Sequence, residues 1–233
     1  NLVRRGSLQP PARREAVAAV AEALAAVFEP AGVPKLVCVL DHHYTDAGLS
    51  WSDLKGADAA RAQALREAAS DRGLRAHLGA VSLSEFWSAQ QTSFDRWGAQ
   101  SEVGPDDVEL FELCESECRV EGLVDADGRP TSLGDLPVFE QELCPPDALT
   151  AEPPDEFHFR EATGNEGGTA ERTYRRAAVI LWPRSNDVAV LAQAGPDALW
   201  AALKEAERVD AAARIDALLT EFVPLARSVE YLR

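Results

Sequence analysis

Apolar residues recur at helical spacing across residues 13–28. Val17, Val20, Leu24, Val27 and Phe28 share one side of a 3.6-residue period, and Pro30 ends the run. Lys35–Asp41 (KLVCVLD) follows Pro34 as a short β-rich apolar run, the pattern of a buried strand. Residues 57–72 are rich in alanine, turn Leu65 inward and stop before Gly73, a residue suited to the position just past a helix end. Residues 77–87 then predict a strand and 90–106 a polar loop. Val108–Leu113 and Cys118–Val124 predict two further strands. Asp125-Ala-Asp-Gly128 is a turn signal, because glycine reaches positive φ without steric cost.

From 131 to 154 the chain is rich in Pro, Asp and Glu, and Leu136, Val138, Phe139 and Leu143 recur as apolar anchors. That spacing predicts an ordered excursion over a surface. Ala177–Trp182 (AAVILW) is the strongest strand pattern, a continuous apolar run of the kind buried on both faces. Pro196 opens a last helical region carrying Leu199, Trp200, Leu203, Ile215, Leu218, Leu219 and Phe222, broken at Pro224. The order of elements predicts an α+β fold, with a mainly antiparallel sheet flanked by helices and a helical C-terminus. Residues 1–189 form the α+β domain, with an acidic excursion at 106–171. Residues 190–233 form a helical segment packed on it or opening a further helical region. A degenerate double-stranded β-helix is the alternative architecture.

Charge sharpens this picture. The 233 residues carry a formal net charge of −16. Residues 106–171 hold 19 acidic residues against three arginines (Arg119, Arg129 and Arg160), so this stretch accounts for the whole excess. A chain so acidic is a poor partner for nucleic acid, which needs clustered Lys and Arg. No run of 18 apolar residues occurs, so no membrane-spanning helix is expected. Cys38, Cys114, Cys118 and Cys144 are few and scattered, which suits a reduced, cytoplasmic chain.

Candidate chemistry is sparse. Asp41-His42-His43-Tyr44-Thr45 lies just past the first strand, where open sheets put ligands; the plainer reading is a loop whose His and Tyr side chains cap backbone and pack against Trp51. Thr163-Gly164-Asn165-Glu166-Gly167-Gly168 runs into a strand instead of a helix, so it is not a phosphate cradle. Its Asn165 and Glu166 are candidates to hold neighbouring amides. Tyr174, Arg175 and Arg176 follow. The arginines are expected as internal partners for the surrounding acid, with Arg176 also a candidate carboxylate grip. Cys114-x-x-x-Cys118 is half a zinc motif with no second half, so no metal site is assigned. No G-x-S-x-G occurs, and no catalytic residue is assigned.

EATGNEGGTAERTYRRAAVILWPR (161–184), LDHHYTDAGLSWSDLKGADAARAQAL (40–65) and LVDADGRPTSLGDLP (123–137) together resemble segments of iron(II)- and 2-oxoglutarate-dependent dioxygenases of the prolyl 4-hydroxylase-like kind. In that group these segments follow the oxygenase core, and Asn1-Leu2-Val3 is similar to the end of its last strand. The chain contains no Met, which reads as a processed chain or an excised fragment. The family holds iron with a His-x-Asp/Glu pair and a distant His. Here Tyr44, Thr45, Gly79 and Arg160 stand two residues after the four histidines, so no such pair exists. The resemblance therefore implies that iron(II) and 2-oxoglutarate bind in an upstream core, and that this chain is its non-catalytic C-terminal domain, supporting the core or binding the protein substrate. An independent acidic module that recruits a basic protein partner is the alternative.

Overall fold

In a computed structural model the described residues are 19–24, 26–28, 33–44, 49–92, 103–131, 133, 135–161, 168–198 and 200. Strands Leu36–His43 (β1), Leu74–Gln91 (β2), Val108–Val124 (β3), Leu136–Pro137 (β4), Leu143–Cys144 (β5), Glu156–Arg160 (β6) and Gly168–Pro183 (β7) build one curled sheet. Its order is β4-β3-β2-β7-β1-β5, with β6 beside β7. Every pairing is antiparallel except the short β1–β5 contact. Residues 19–24 and 26–28 are helical (α1), as are Gly56–Asp71 (α2) and Asp187–Gln193 (α3). The fold is thus sheet-rich with few helices. Of the helical region expected from Pro196 onwards, 196–198 and 200 are helical, and 201–233 lie outside the described residues.

Strand β7 explains the architecture, because its AAVILW run serves two cores at once. Ala177, Val179 and Leu181 pack on one face with Leu36, Cys38, Leu40 and Leu78, under α1 (Ala21, Leu24) and α2 (Ala62, Leu65, Ala68, Ala69). Ala178, Ile180 and Trp182 pack on the other face with Val37, Val39, Val81 and Val120, beneath Leu136, Val138 and Leu149 of the excursion and Val190 of α3. Alternation at period two sends successive side chains to opposite faces, and here both faces are covered. A third, small cluster closes the far end of the sheet with Ala89, Val108, Ala170, Phe157 and Phe159.

Two expectations need correction. Val108–Leu113 and Cys118–Val124 are one strand, not two, since β3 runs unbroken through Cys114–Glu117 against β2. Those four residues lack apolar alternation because they are exposed on both faces, so the pattern that marks half-buried strands is missing. Of the excursion's anchors, Leu136 and Val138 are buried, but Phe139 is 48% exposed and lies over the Lys35 ammonium instead of entering the core.

Candidate functional site

One edge of β7 is shared by two strands. Thr169–Thr173 bond to β6, and pairing to β1 begins at Arg176. Tyr174 and Arg175 fall in the gap. An unpaired backbone amide there would carry a desolvation cost, so something must fill the ladder. Asp155 does so. Its own amide donates to the Thr173 carbonyl at 2.8 Å, and its Oδ2 accepts from the Arg175 amide at 2.6 Å.

The same carboxylate gathers the residues marked by sequence. Arg176, 2% exposed, donates through Nη1 to Asp155 Oδ2 (2.8 Å) and to the Arg175 carbonyl (2.9 Å), and through Nη2 to Glu152 Oε2 (3.0 Å). His43 arrives from a bulge in β1 that slips its register against β7 and leaves it opposite Arg176. Its Nδ1 lies 2.7 Å from Asp155 Oδ1, and its Nε2 lies 3.1 Å from Glu152 Oε2. Burial pushes the Asp155 carboxyl up, but the Arg175 amide, His43 and Arg176 together hold it below the usual range.

His43, Glu152 and Asp155 are ligand types that a metal accepts, yet the Arg176 guanidinium already bonds both carboxylates. Both terminal nitrogens of Arg176 are engaged by the protein's own acids, Asp155 and Glu152. Among the described residues no group of three or more His, Cys, Asp or Glu is set to hold a metal ion. Cys114 and Cys118 sit on one extended strand, where four residues span roughly 13 Å. That spacing cannot chelate as a pair on a tight turn would.

The other nominated residues are dispersed. Tyr174 is buried on the face that carries Val81 and Ile180, and burial raises its phenol above the ordinary value, with Glu85 adding to the effect. His42 stands in the β1 bulge outside the cluster. Tyr44 lines a cleft of about 300 Å³ with Leu49, Leu123, Thr131 and Asp135. Trp51 stacks on Arg66 and donates to the Asp125 carbonyl at 2.7 Å. Asn165 and Glu166 lie outside the described residues.

A second polar centre was not among the candidates drawn from the sequence. Lys35 and Glu142 are both fully buried. The Lys35 ammonium donates to Glu142 Oε2, the Pro137 carbonyl and Gln193 Oε1, each at 2.7 Å, so all three of its hydrogens are used. Burial depresses its pKa, and Glu142 opposes that shift. The pair locks the excursion and α3 to the start of β1. A lone Lys directly before an apolar run was the signal, but the acid meant for it was one among 19.

No known protein family, curated protein or solved structure matches the chain.

Proposed function

We propose that this chain is a protein-binding, non-catalytic domain of an iron(II)- and 2-oxoglutarate-dependent oxygenase polypeptide, working downstream of the catalytic core. The observation that carries the binding half of the reading is β3. Its Glu109, Glu112, Glu115 and Glu117 stand in register opposite Gln90, Ser88, Phe86 and Ser84, all on one face of the ribbon beyond the helices. Phe111 and Leu113, 55% and 43% exposed, lie between them in sequence, with Leu113 opposite Trp87 on the other face. On its outer side β3 pairs through Arg119 and Val120 to β4 and bridges Pro130 through Val124, so among the described residues 108–117 has no strand partner on that edge. A free edge of this kind is a template for an added strand, and the glutamates restrict what is added to a basic segment. The oxygenase half rests on the three resembling segments, and with it we read the curled sheet as a degenerate double-stranded β-helix.

The partner on this reading is the upstream core of the same polypeptide or its basic protein substrate. An independent acidic module with no oxygenase attached is the second reading, favoured by the same row of glutamates. Calorimetric titration of the chain with iron(II) and 2-oxoglutarate should give no binding; tight binding of both would overturn the non-catalytic role. Mixing the chain with a separately expressed oxygenase core, and with lysine- and arginine-rich extended peptides, separates the two readings. Binding in either case should weaken steeply with added salt and in the triple variant Glu109→Gln/Glu112→Gln/Glu115→Gln.

A further inference from the structure

We propose that Cys38 and Cys144 form an oxidisable dithiol site, in which Cys144 attacks a small-molecule disulfide and Cys38 resolves the product into an intramolecular bond. The two are direct register partners across the parallel β1–β5 contact. Residues paired this way point to the same side of a sheet, with backbones about 4.8 Å apart. That separation falls within the Cα range a disulfide spans. Four cysteines are free. By contrast Cys114 and Cys118 are too far apart along β3 to bridge.

The two thiols differ in the way the chemistry requires. Cys144 is exposed at the last strand of the sheet, open to a reagent, whereas Cys38 is buried against the α1–α2 side. The neighbouring Cys38 thiol lowers the Cys144 pKa to about 6, and Cys144 together with burial raises that of Cys38. An exposed thiolate beside a second thiol is the arrangement of cysteines that undergo selective oxidation.

The steps balance with a disulfide such as oxidised glutathione as the oxidant. The Cys144 thiolate attacks one sulfur, the reagent's S–S bond breaks, and one small thiolate leaves and takes a proton from solvent. Cys38 then loses its proton to solvent and attacks Cys144 Sγ, and the mixed bond breaks to release the second small thiol. Two protein thiols are oxidised and one small disulfide is reduced. The new bond would fasten the end of the excursion to a core strand.

The test treats the whole chain with oxidised glutathione, followed by peptide mapping without reductant. The expected result is a linked peptide joining Cys38 to Cys144, with Cys114 and Cys118 left unbridged. Cys38→Ala should stop at glutathione on Cys144, and its reaction should need a higher pH than the wild type, whose rate is half-maximal near pH 6. Cys144→Ser should leave Cys38 unmodified. Circular dichroism verifies that each variant is folded, and Cys38→Ser serves if the alanine variant is not. The proposal fails if folded wild-type protein keeps four free thiols, or if glutathione stays on Cys144 while Cys38 remains free.

Discussion

His43 and Arg176 are 133 residues apart in sequence, yet His43 Nδ1 lies 3.0 Å from Arg176 Nη1. Neither can bond the other while His43 Nδ1 carries hydrogen, since both are then donors. Asp155 stands between them and accepts from each through a different oxygen.

Asp155 is therefore the member whose loss should be felt most. Asp155→Asn is expected to destabilise by roughly 1.5–3 kcal/mol in urea unfolding at pH 7, the usual cost of losing charge-assisted hydrogen bonds. Glu152→Gln should cost at most about 1 kcal/mol, because that carboxylate is 58% exposed. The folded pKa of Asp155 is depressed, so its contribution is fully present above the unfolded value of about 3.9 and is lost as pH falls through the lower folded value. The variant should lose less stability than the wild type over that acid range. Equal effects of the two substitutions at pH 7 would remove Asp155 from its central place.

His77 supplies a second pH signature at a higher range. It stacks on Trp182, with ring centroids 4.5 Å apart, and its Nδ1 is buried without a partner among the described residues. Burial, assisted by Arg75, lowers its pKa from 6.5 to about 4. A depressed folded pKa gives stability that is present above pH 6.5 and declines as pH falls towards 4. The decline attributable to His77 is roughly 3 kcal/mol. His77→Phe keeps the stack and removes the proton, so unfolding curves between pH 7 and 4 should flatten; an unchanged slope would assign the acid sensitivity elsewhere.

Breaking the Lys35–Glu142 pair from one side should cost about 3–5 kcal/mol, since the remaining charge is buried and unpaired. Lys35→Met and Glu142→Leu each meet that condition. The double variant should be more stable than either single variant, and a double-mutant cycle reads the coupling directly. Additive losses would mean that the two charges do not depend on each other.

Packing gives a fourth prediction at the crossing of β2 and β3. A Cβ on Gly79 would lie 2.5 Å from Val120 Cγ1 and 3.0 Å from Ile180 Cδ1. Gly79→Ala is thus expected to cost about 1–3 kcal/mol through overpacking. Val120→Ala in the same chain should restore part of that loss, although it is destabilising alone. Thermal unfolding of the three variants decides the matter, and no rescue by Val120→Ala would point to backbone strain instead of crowding.

The legible parts of the sequence were those where one local rule acted without competition. AAVILW reads as a doubly buried strand because each of its residues is apolar, and Gly73 reads as a helix stop because it takes φ +66 just past α2. The arginines after Tyr174 read as partners for acid, and Arg175 and Arg176 do bond Glu156, Glu152 and Asp155. Which acids they meet was not legible. Composition treats the 19 carboxylates alike, whereas the fold buries Glu142, engages Asp155 and leaves Glu109, Glu112 and Glu115 exposed.

By itself, then, the sequence determined the strands with a strict period, the turn at Asp125–Gly128 and the concentration of charge in one stretch. These follow from backbone sterics and side-chain alternation, which act over a few residues. Only the tertiary structure decided the continuity of β3, the meeting of His43 with Arg176 through Asp155, the burial of Lys35 with Glu142, and the pairing of Cys38 with Cys144. Each depends on register between segments from 17 to 133 residues apart, and register is set by the simultaneous packing of both sheet faces, a property no local window contains.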